Sequence, residues 1–176
     1  MWAKMIASAI FTFCENSLWF LSCLYMVKLN LPTFNFELKH DQGRILIFDF
    51  LRKRHVVLTP EEWVRQHFIH YLINQLHYPK ALIKVEGGLI FNTLQKRSDI
   101  VVFSREGNPW MMIECKAPDL KLSKSTIRQA SIYNHSLKAK YVVITNGMSH
   151  ICCEIDWINS NTVVLHSMPQ YDARID

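Results

Sequence analysis

DIVVFSREGNPWMMIECK, residues 99–116, is the stretch that decides the fold. It holds two near-continuous apolar runs, Ile100-Val101-Val102-Phe103 and Trp110-Met111-Met112-Ile113, divided by the turn-forming segment Ser104 to Pro109. Short β-branched and aromatic runs bounded in this way read as buried strands, and so brief a connection makes them an antiparallel hairpin. A register that pairs Phe103 with Trp110 sets Asp99 directly opposite Glu114. Side chains alternate along a strand, so Glu114 and Lys116 share one face while Cys115 points to the other.

Two carboxylates facing each other across a sheet cost a few tenths to about 1 kcal/mol. A divalent cation held between them turns that liability into a site. With the ammonium of Lys116 on the same face, the set suits phosphodiester hydrolysis, which needs a metal to polarise the phosphoryl oxygen and a cation to orient water or neutralise developing charge. An isolated D…ExK pattern is short and also describes an ordinary ion pair. The apolar strands from which these carboxylates emerge favour the site, because unpaired charge there is costly.

Upstream, Thr59-Pro60-Glu61-Glu62 supplies a capping Thr, a Pro at the first helical position and a Glu three residues after the cap. The spacing predicts a helix from Pro60 to about Leu76 that buries Val64, Phe68, Leu72 and Leu76. Before it, Phe34 to Leu38 and Arg44 to Phe48 read as a hairpin turning at His40-Asp41-Gln42-Gly43. The run Arg52-Lys53-Arg54 reads as a solvated loop. Further strands are predicted at Leu82 to Glu86 and Gly88 to Phe91. Downstream, a helix is expected from Ser123 or Lys124 to about Leu137, then a buried strand Tyr141 to Ile144 closed by Asn146-Gly147, and an alternating segment His150 to Ile155. From Pro60 on, the order is helix, three or more strands, helix, strand.

Asp99, Glu114-Cys115-Lys116 and Gln129-Ala130-Ser131-Ile132-Tyr133 together resemble the PD-(D/E)XK signature with its QxxxY extension. The nearest likeness is to the N-terminal nuclease domain of type I restriction enzyme R subunits. It spans Thr59 to Gly147, including Val64-Arg65-Gln66 and Thr145-Asn146-Gly147. The resemblance implies an α/β fold of the α+β kind: a restriction-endonuclease-like αβββαβ core with a central mixed β-sheet flanked by helices. It also implies Asp99, Glu114 and the backbone carbonyl of Cys115 as ligands of Mg2+ or Mn2+, with Lys116 as the catalytic lysine. Glu62 matches a glutamate that often joins such sites, and it is equally N3 of the Thr59 capping box. Gln129 and Tyr133 lie one helical turn apart on a face that the resemblance aims at the active site or the DNA backbone. Lys121, Lys124 and Arg128 lie beside them and suit phosphates as well as a solvated basic face. Ser98 stands where the family pattern has Pro.

The chain has 176 residues, 49% of them hydrophobic, enough for one domain with a real core. Lys and Arg number 20 against 15 Asp and Glu, and the net charge of +5 leans toward a polyanionic partner. Five cysteines form no CxxC pair, which argues against a zinc site or a disulfide framework and fits a reducing cytoplasm. The histidines lack metal-ligand spacing, and none is assigned a role. No G-x-x-x-x-G-K-[ST] loop occurs, so the chain carries no ATPase motor of that kind.

Residues 1–25 form a hydrophobic extension with Lys4 and Glu15 as its only charges. A chain start at Met26 is the favoured reading, with a membrane or signal segment second, and residues 26–176 are the nuclease domain. The expected function is metal-dependent endonucleolytic cleavage of DNA. The alternatives are an RNA- or structure-selective repair nuclease on the same site, or a non-catalytic nucleic-acid-binding or interaction module. DNA is the expected partner, and a double-strand cut implies a homodimer or a larger restriction or repair complex. No membrane partner is expected.

Overall fold

The computed structural model describes residues 26–85 and 98–171. The N-terminal extension and the strand expected at Gly88 to Phe91 lie outside them. No described helix is long and apolar enough to cross a membrane.

A three-stranded antiparallel meander comes first, made of β1 (Leu38–Asp41), β2 (Arg44–Asp49) and β3 (Arg54–Val57). Its first turn is Gln42-Gly43, both at positive φ (46° and 75°), the backbone a tight two-residue hairpin requires. The first arm therefore begins at Leu38, not at Phe34 as expected. Phe34 and Phe36 instead put their rings against the next helix, Phe34 against His70 at 4.9 Å and Phe36 against His67 at 4.6 Å. The loop expected at Arg52-Lys53-Arg54 is also corrected: Arg54 opens β3, and Arg52 is drawn inward.

Helix α1 (Pro60–Asn74) starts as its capping residues require, with Thr59 Oγ1 accepting from the Glu62 backbone N–H at 3.1 Å. It ends before Leu76, which is buried just beyond it, as are Val64, Phe68 and Leu72 within it. A short 3-10 turn (Lys80–Leu82) leads into a six-stranded mixed sheet of β4 (Ile83–Val85), β5 (Ile100–Phe103), β6 (Pro109–Cys115), β7 (Tyr141–Thr145), β8 (His150–Asp156) and β9 (Asn161–Leu165), in sequential order. Neighbours run antiparallel except β6 and β7, which are parallel and joined by α2 (Lys124–Leu137).

Alternation along β6 and β7 divides the core. Met111, Ile113, Cys115 and Val143 pack with Val64, Phe68, Ile69 and Leu72 of α1. Met112, Val142 and Ile144 take the opposite face with Ala130 of α2. Each of the buried Val, Leu, Ile, Met and Phe side chains among them contributes about 1.5–3 kcal/mol relative to exposure. The sheet is thus covered on both faces where β6 and β7 pair, and their C-terminal ends open toward the first turns of α1.

In the β5–β6 hairpin, Ile100 pairs with Ile113, Val101 with Met112 and Val102 with Met111, the expected register. Past Val102 the ladder shifts, and Phe103 faces Pro109 instead of Trp110. The turn explains the shift. Ser104 N–H donates to Asn108 O at 2.8 Å, Gly107 sits at φ 84°, and the residue left over is absorbed as a bulge.

Candidate active site

Glu114 and Lys116 stand at the C-terminal end of β6, and Asp99 stands at the bend that leads into β5. One further step of the Ile100–Ile113 register brings Asp99 to Glu114. Asp99 Oδ2 accepts from the Cys115 backbone N–H at 2.7 Å, which ties the two strand ends together and fixes that peptide beside the carboxylate. Lys116 N–H donates to Thr145 O at 2.8 Å, so β7 holds the lysine's backbone as well. Alternation places the side chains as expected: Lys116 Nζ donates to Glu114 Oε1 at 2.7 Å, and Cys115 turns away into the α1 core.

From the other side comes a chain of buried polar groups. Arg65 of α1 donates through Nη2 to Asp99 Oδ1 at 2.5 Å, and through Nη1 to Glu62 Oε2. Gln66 Nε2 donates to Glu62 Oε1 at 2.8 Å and to Asp49 Oδ2 at 3.0 Å. Asp49, at the end of β2, is fully buried, and its Oδ1 accepts the backbone N–H groups of Leu51 and Arg52, each at 2.9 Å. Arg52 closes the chain, with Nε 2.7 Å from Asp49 Oδ2 and Nη2 3.4 Å from Glu62 Oε1. Glu62 keeps its backbone place in the Thr59 cap, but its carboxylate points into this network.

The electrostatics follow from this crowding. Burial pushes the Glu114 carboxyl above the usual range and the like charge of Asp99 adds to it, against the pull of Lys116 and Arg65. Burial works against the Lys116 ammonium, but the hydrogen bond and charge of Glu114, with the charge of Asp99, outweigh it and raise its pKa. Lys116 is therefore a cation at neutral pH, suited to steadying negative charge rather than abstracting a proton. Burial likewise opposes the Arg65 charge, and Asp99 and Glu62 overcome it.

Four carboxylates (Asp49, Glu62, Asp99, Glu114) face three cations (Arg52, Arg65, Lys116), which leaves one formal negative charge. Glu114 Oε2 is buried and has no hydrogen-bond partner among the described residues. An ionised carboxylate offers about four lone-pair sites, so the single bond on each Asp99 oxygen leaves acceptor capacity there. Hard oxygen donors with surplus negative charge and an unsatisfied oxygen fit a divalent cation. Among the described residues no three His, Cys, Asp or Glu side chains are grouped to hold an ion. The expected ligand set is instead two side chains, Asp99 and Glu114, and the Cys115 carbonyl.

The remaining expected residues lie on α2 and before it. Tyr133 is half-buried and close enough to Lys116 to influence its charge, and Gln129 Nε2 lies 3.4 Å from Tyr133 Oη. Lys121 and Arg128 are exposed, and Lys124 opens the helix. The sequence alone gave no role to Asp49 or Arg52 and marked Arg65 and Gln66 only as part of the family likeness in the first helix. A signal existed in the helix: Arg65 and Gln66 lie three and four residues after Glu62, hence on its face, amid buried apolar neighbours.

The profile of the type I restriction enzyme R protein N terminus (HSDR_N) matches residues 60–169, more than half of the chain. The chain belongs to this family. Its matched span runs from the start of α1 past β9, so the HSDR_N region contains Glu62, Arg65, Asp99, Glu114 and Lys116, while the β1–β3 meander with Asp49 and Arg52 precedes it. Among solved structures, a fragment of an HsdR subunit of a type I restriction enzyme from Vibrio vulnificus YJ016 aligns at 25% identity and a TM-score of 0.34, covering 50% of this chain and 16% of that one. The chain thus spans about a sixth of that relative's length. No curated protein matches.

Proposed function

We propose that this HSDR_N chain is a metal-dependent endonuclease of the PD-(D/E)XK type that hydrolyses DNA phosphodiester bonds. The observation that carries the reading is the juxtaposition of Asp99, Glu114 and Lys116 at one strand end, with surplus negative charge and an unsatisfied Glu114 oxygen. Membership in the family of R-protein N termini supports it.

Asp99, Glu114 and the Cys115 carbonyl would hold Mg2+ or Mn2+, which supplies Lewis-acid polarisation of a phosphoryl oxygen and lowers the pKa of water. The residues themselves do the rest. Lys116, kept protonated by Glu114, places a positive charge where the pentavalent phosphorus centre gains negative charge. Arg65 holds Asp99 in a single orientation and so prepares the site before substrate arrives. Gln129 and Tyr133 would line the α2 side, with the exposed Lys121 and Arg128 available to phosphates. These 176 residues hold no motor sequence, so any ATP-driven translocation would be the work of residues or subunits outside them, and cutting both strands calls for a homodimer or a second such subunit.

One observation favours a second reading. Both Asp99 oxygens and both Glu62 oxygens already accept hydrogen bonds, as they would in a nucleic-acid-binding module that keeps the fold without turnover. Titration of the purified chain with Mn2+, followed by the paramagnetic resonance of free ion, separates the two. A nuclease binds Mn2+ and loses it in Asp99→Ala and Glu114→Ala; equal behaviour of the three proteins rejects the metal site.

A further inference from the structure

We infer that the β2–β3 turn is a second contact surface for the nucleic-acid backbone, with Lys53 and Arg54 as its phosphate-binding cations. This rests on the nucleic-acid reading above. It concerns a part of the chain that precedes the family-matched span and a basic run that the sequence alone assigns to solvent.

The turn is not a loose loop. Asp49 Oδ1 accepts two of its backbone N–H groups, Arg52 is clamped between Asp49 and Glu62, and Lys53 is at φ 52°, a left-handed conformation uncommon for a lysine. The effect is to fix where the next two side chains leave the fold. Arg54 pairs with Asp49 across the β2–β3 ladder, and directly opposed residues share one face of a sheet with Cβ atoms about 5 Å apart. Arg54 therefore emerges on the face from which Asp49 enters the site network. From Asp49 that network reaches Asp99 through Gln66, Glu62 and Arg65.

Lys53 and Arg54 are both exposed, and neither makes an ion pair among the described residues. The buried carboxylates nearest them are already engaged by Arg52, Arg65 and Gln66, so their two charges are directed outward. Lys121 and Arg128 flank the site from α2, and Lys53 and Arg54 supply positive charge on the α1 side. A strand carrying one phosphate charge for every few ångströms of its length is attracted by cations on both sides of the scissile position.

The test is fluorescence anisotropy of labelled duplex DNA with the full chain in EDTA, where no cleavage occurs, over a series of salt concentrations. Lys53→Asn with Arg54→Gln keeps a residue tolerant of positive φ at the turn and removes both charges. We expect affinity about tenfold weaker at moderate salt and a log–log salt slope shallower by about 2. Lys53→Arg with Arg54→Lys should restore both. Lys39→Gln with Arg44→Gln, the same charge change at the far end of the meander, should do neither. A Lys53/Arg54 variant equal to wild type, or to that distal control, overturns the inference. If wild type cleaves DNA while this variant binds as well as wild type, the turn fails and the nuclease reading stands. If wild type shows no salt-dependent affinity, both fail.

Discussion

Replacing Arg65 by Met tests the electrostatic heart of this structure. The guanidinium is one-tenth exposed and bridges two carboxylates, Glu62 (6% exposed) and Asp99 (17%). Breaking a buried ion pair by deleting one partner costs about 3–5 kcal/mol, because a buried charge is stranded. Two features lower that figure here. Glu62 keeps Gln66 at 2.8 Å and Arg52 at 3.4 Å, and Asp99 keeps the Cys115 N–H and some contact with water. A loss of about 2–4 kcal/mol at pH 7 is expected, which for a chain of this size lowers the melting temperature by roughly 10 °C. Urea unfolding followed by far-ultraviolet circular dichroism measures it. Adding Asp99→Asn to Arg65→Met removes the stranded charge and should recover part of the loss, giving a coupling of about 1 kcal/mol or more. A loss below about 1 kcal/mol for the single variant, or strictly additive effects, would refute the claim that Arg65 holds the two carboxylates together.

Two other perturbations act on separate features. The folded Glu114 carboxyl has a raised pKa, so the folded state binds more protons than the unfolded one between the unfolded and folded values. Its contribution is fully present below the unfolded value and is lost as pH rises through the folded one. Glu114→Gln should therefore be as stable as wild type or more so at pH 7, with the advantage shrinking toward pH 4; thermal melts across that range decide it, and an advantage growing toward low pH would contradict the assignment. Gly147→Ala forces a side chain into φ 78° and brings its Cβ to 2.7 Å from Leu29 Cδ2, whose neighbour Asn30 donates its N–H to Gly147 O. A destabilisation of about 1–3 kcal/mol in the same urea assay is expected, and a smaller one, below about 1 kcal/mol, for Gly43→Asn, where the positive φ remains but nothing crowds the position.

The pair of strands around the site was legible because two simple periodicities agree there. Apolar runs of strand length fixed β5 and β6, and the alternation within Ile113 to Lys116 placed Glu114 and Lys116 on one face with Cys115 on the other. The cap at Thr59 marked the first helix, since its side-chain oxygen serves the backbone three residues on. What escaped depends on contacts distant in sequence. Arg52-Lys53-Arg54 looks like any solvated charge run until Glu62, ten residues on, draws Arg52 inward. Phe34 and Phe36 alternate like a strand, yet the rings of His67 and His70 hold them. The bulge at Phe103 follows from how Ser104 and Asn108 close the turn, which apolar spacing does not encode. Strand β9 was not anticipated, although Thr162-Val163-Val164 is a β-branched run behind an Asn-Ser-Asn turn; as an edge strand with Val163 and Val164 exposed it lacks the alternation that marks a half-buried one.

The most direct measurement is cleavage itself. Supercoiled plasmid, linear duplex, single-stranded DNA and RNA are incubated with the chain in Mg2+, Mn2+ or EDTA, beside Lys116→Ala. The predicted result is metal-dependent cleavage of DNA that falls by at least about a hundredfold in Lys116→Ala, the loss typical of one electrostatic group in a transition state. Cleavage that persists in EDTA or is unchanged in Lys116→Ala, or no cleavage of any substrate by a chain that still binds nucleic acid, would contradict it.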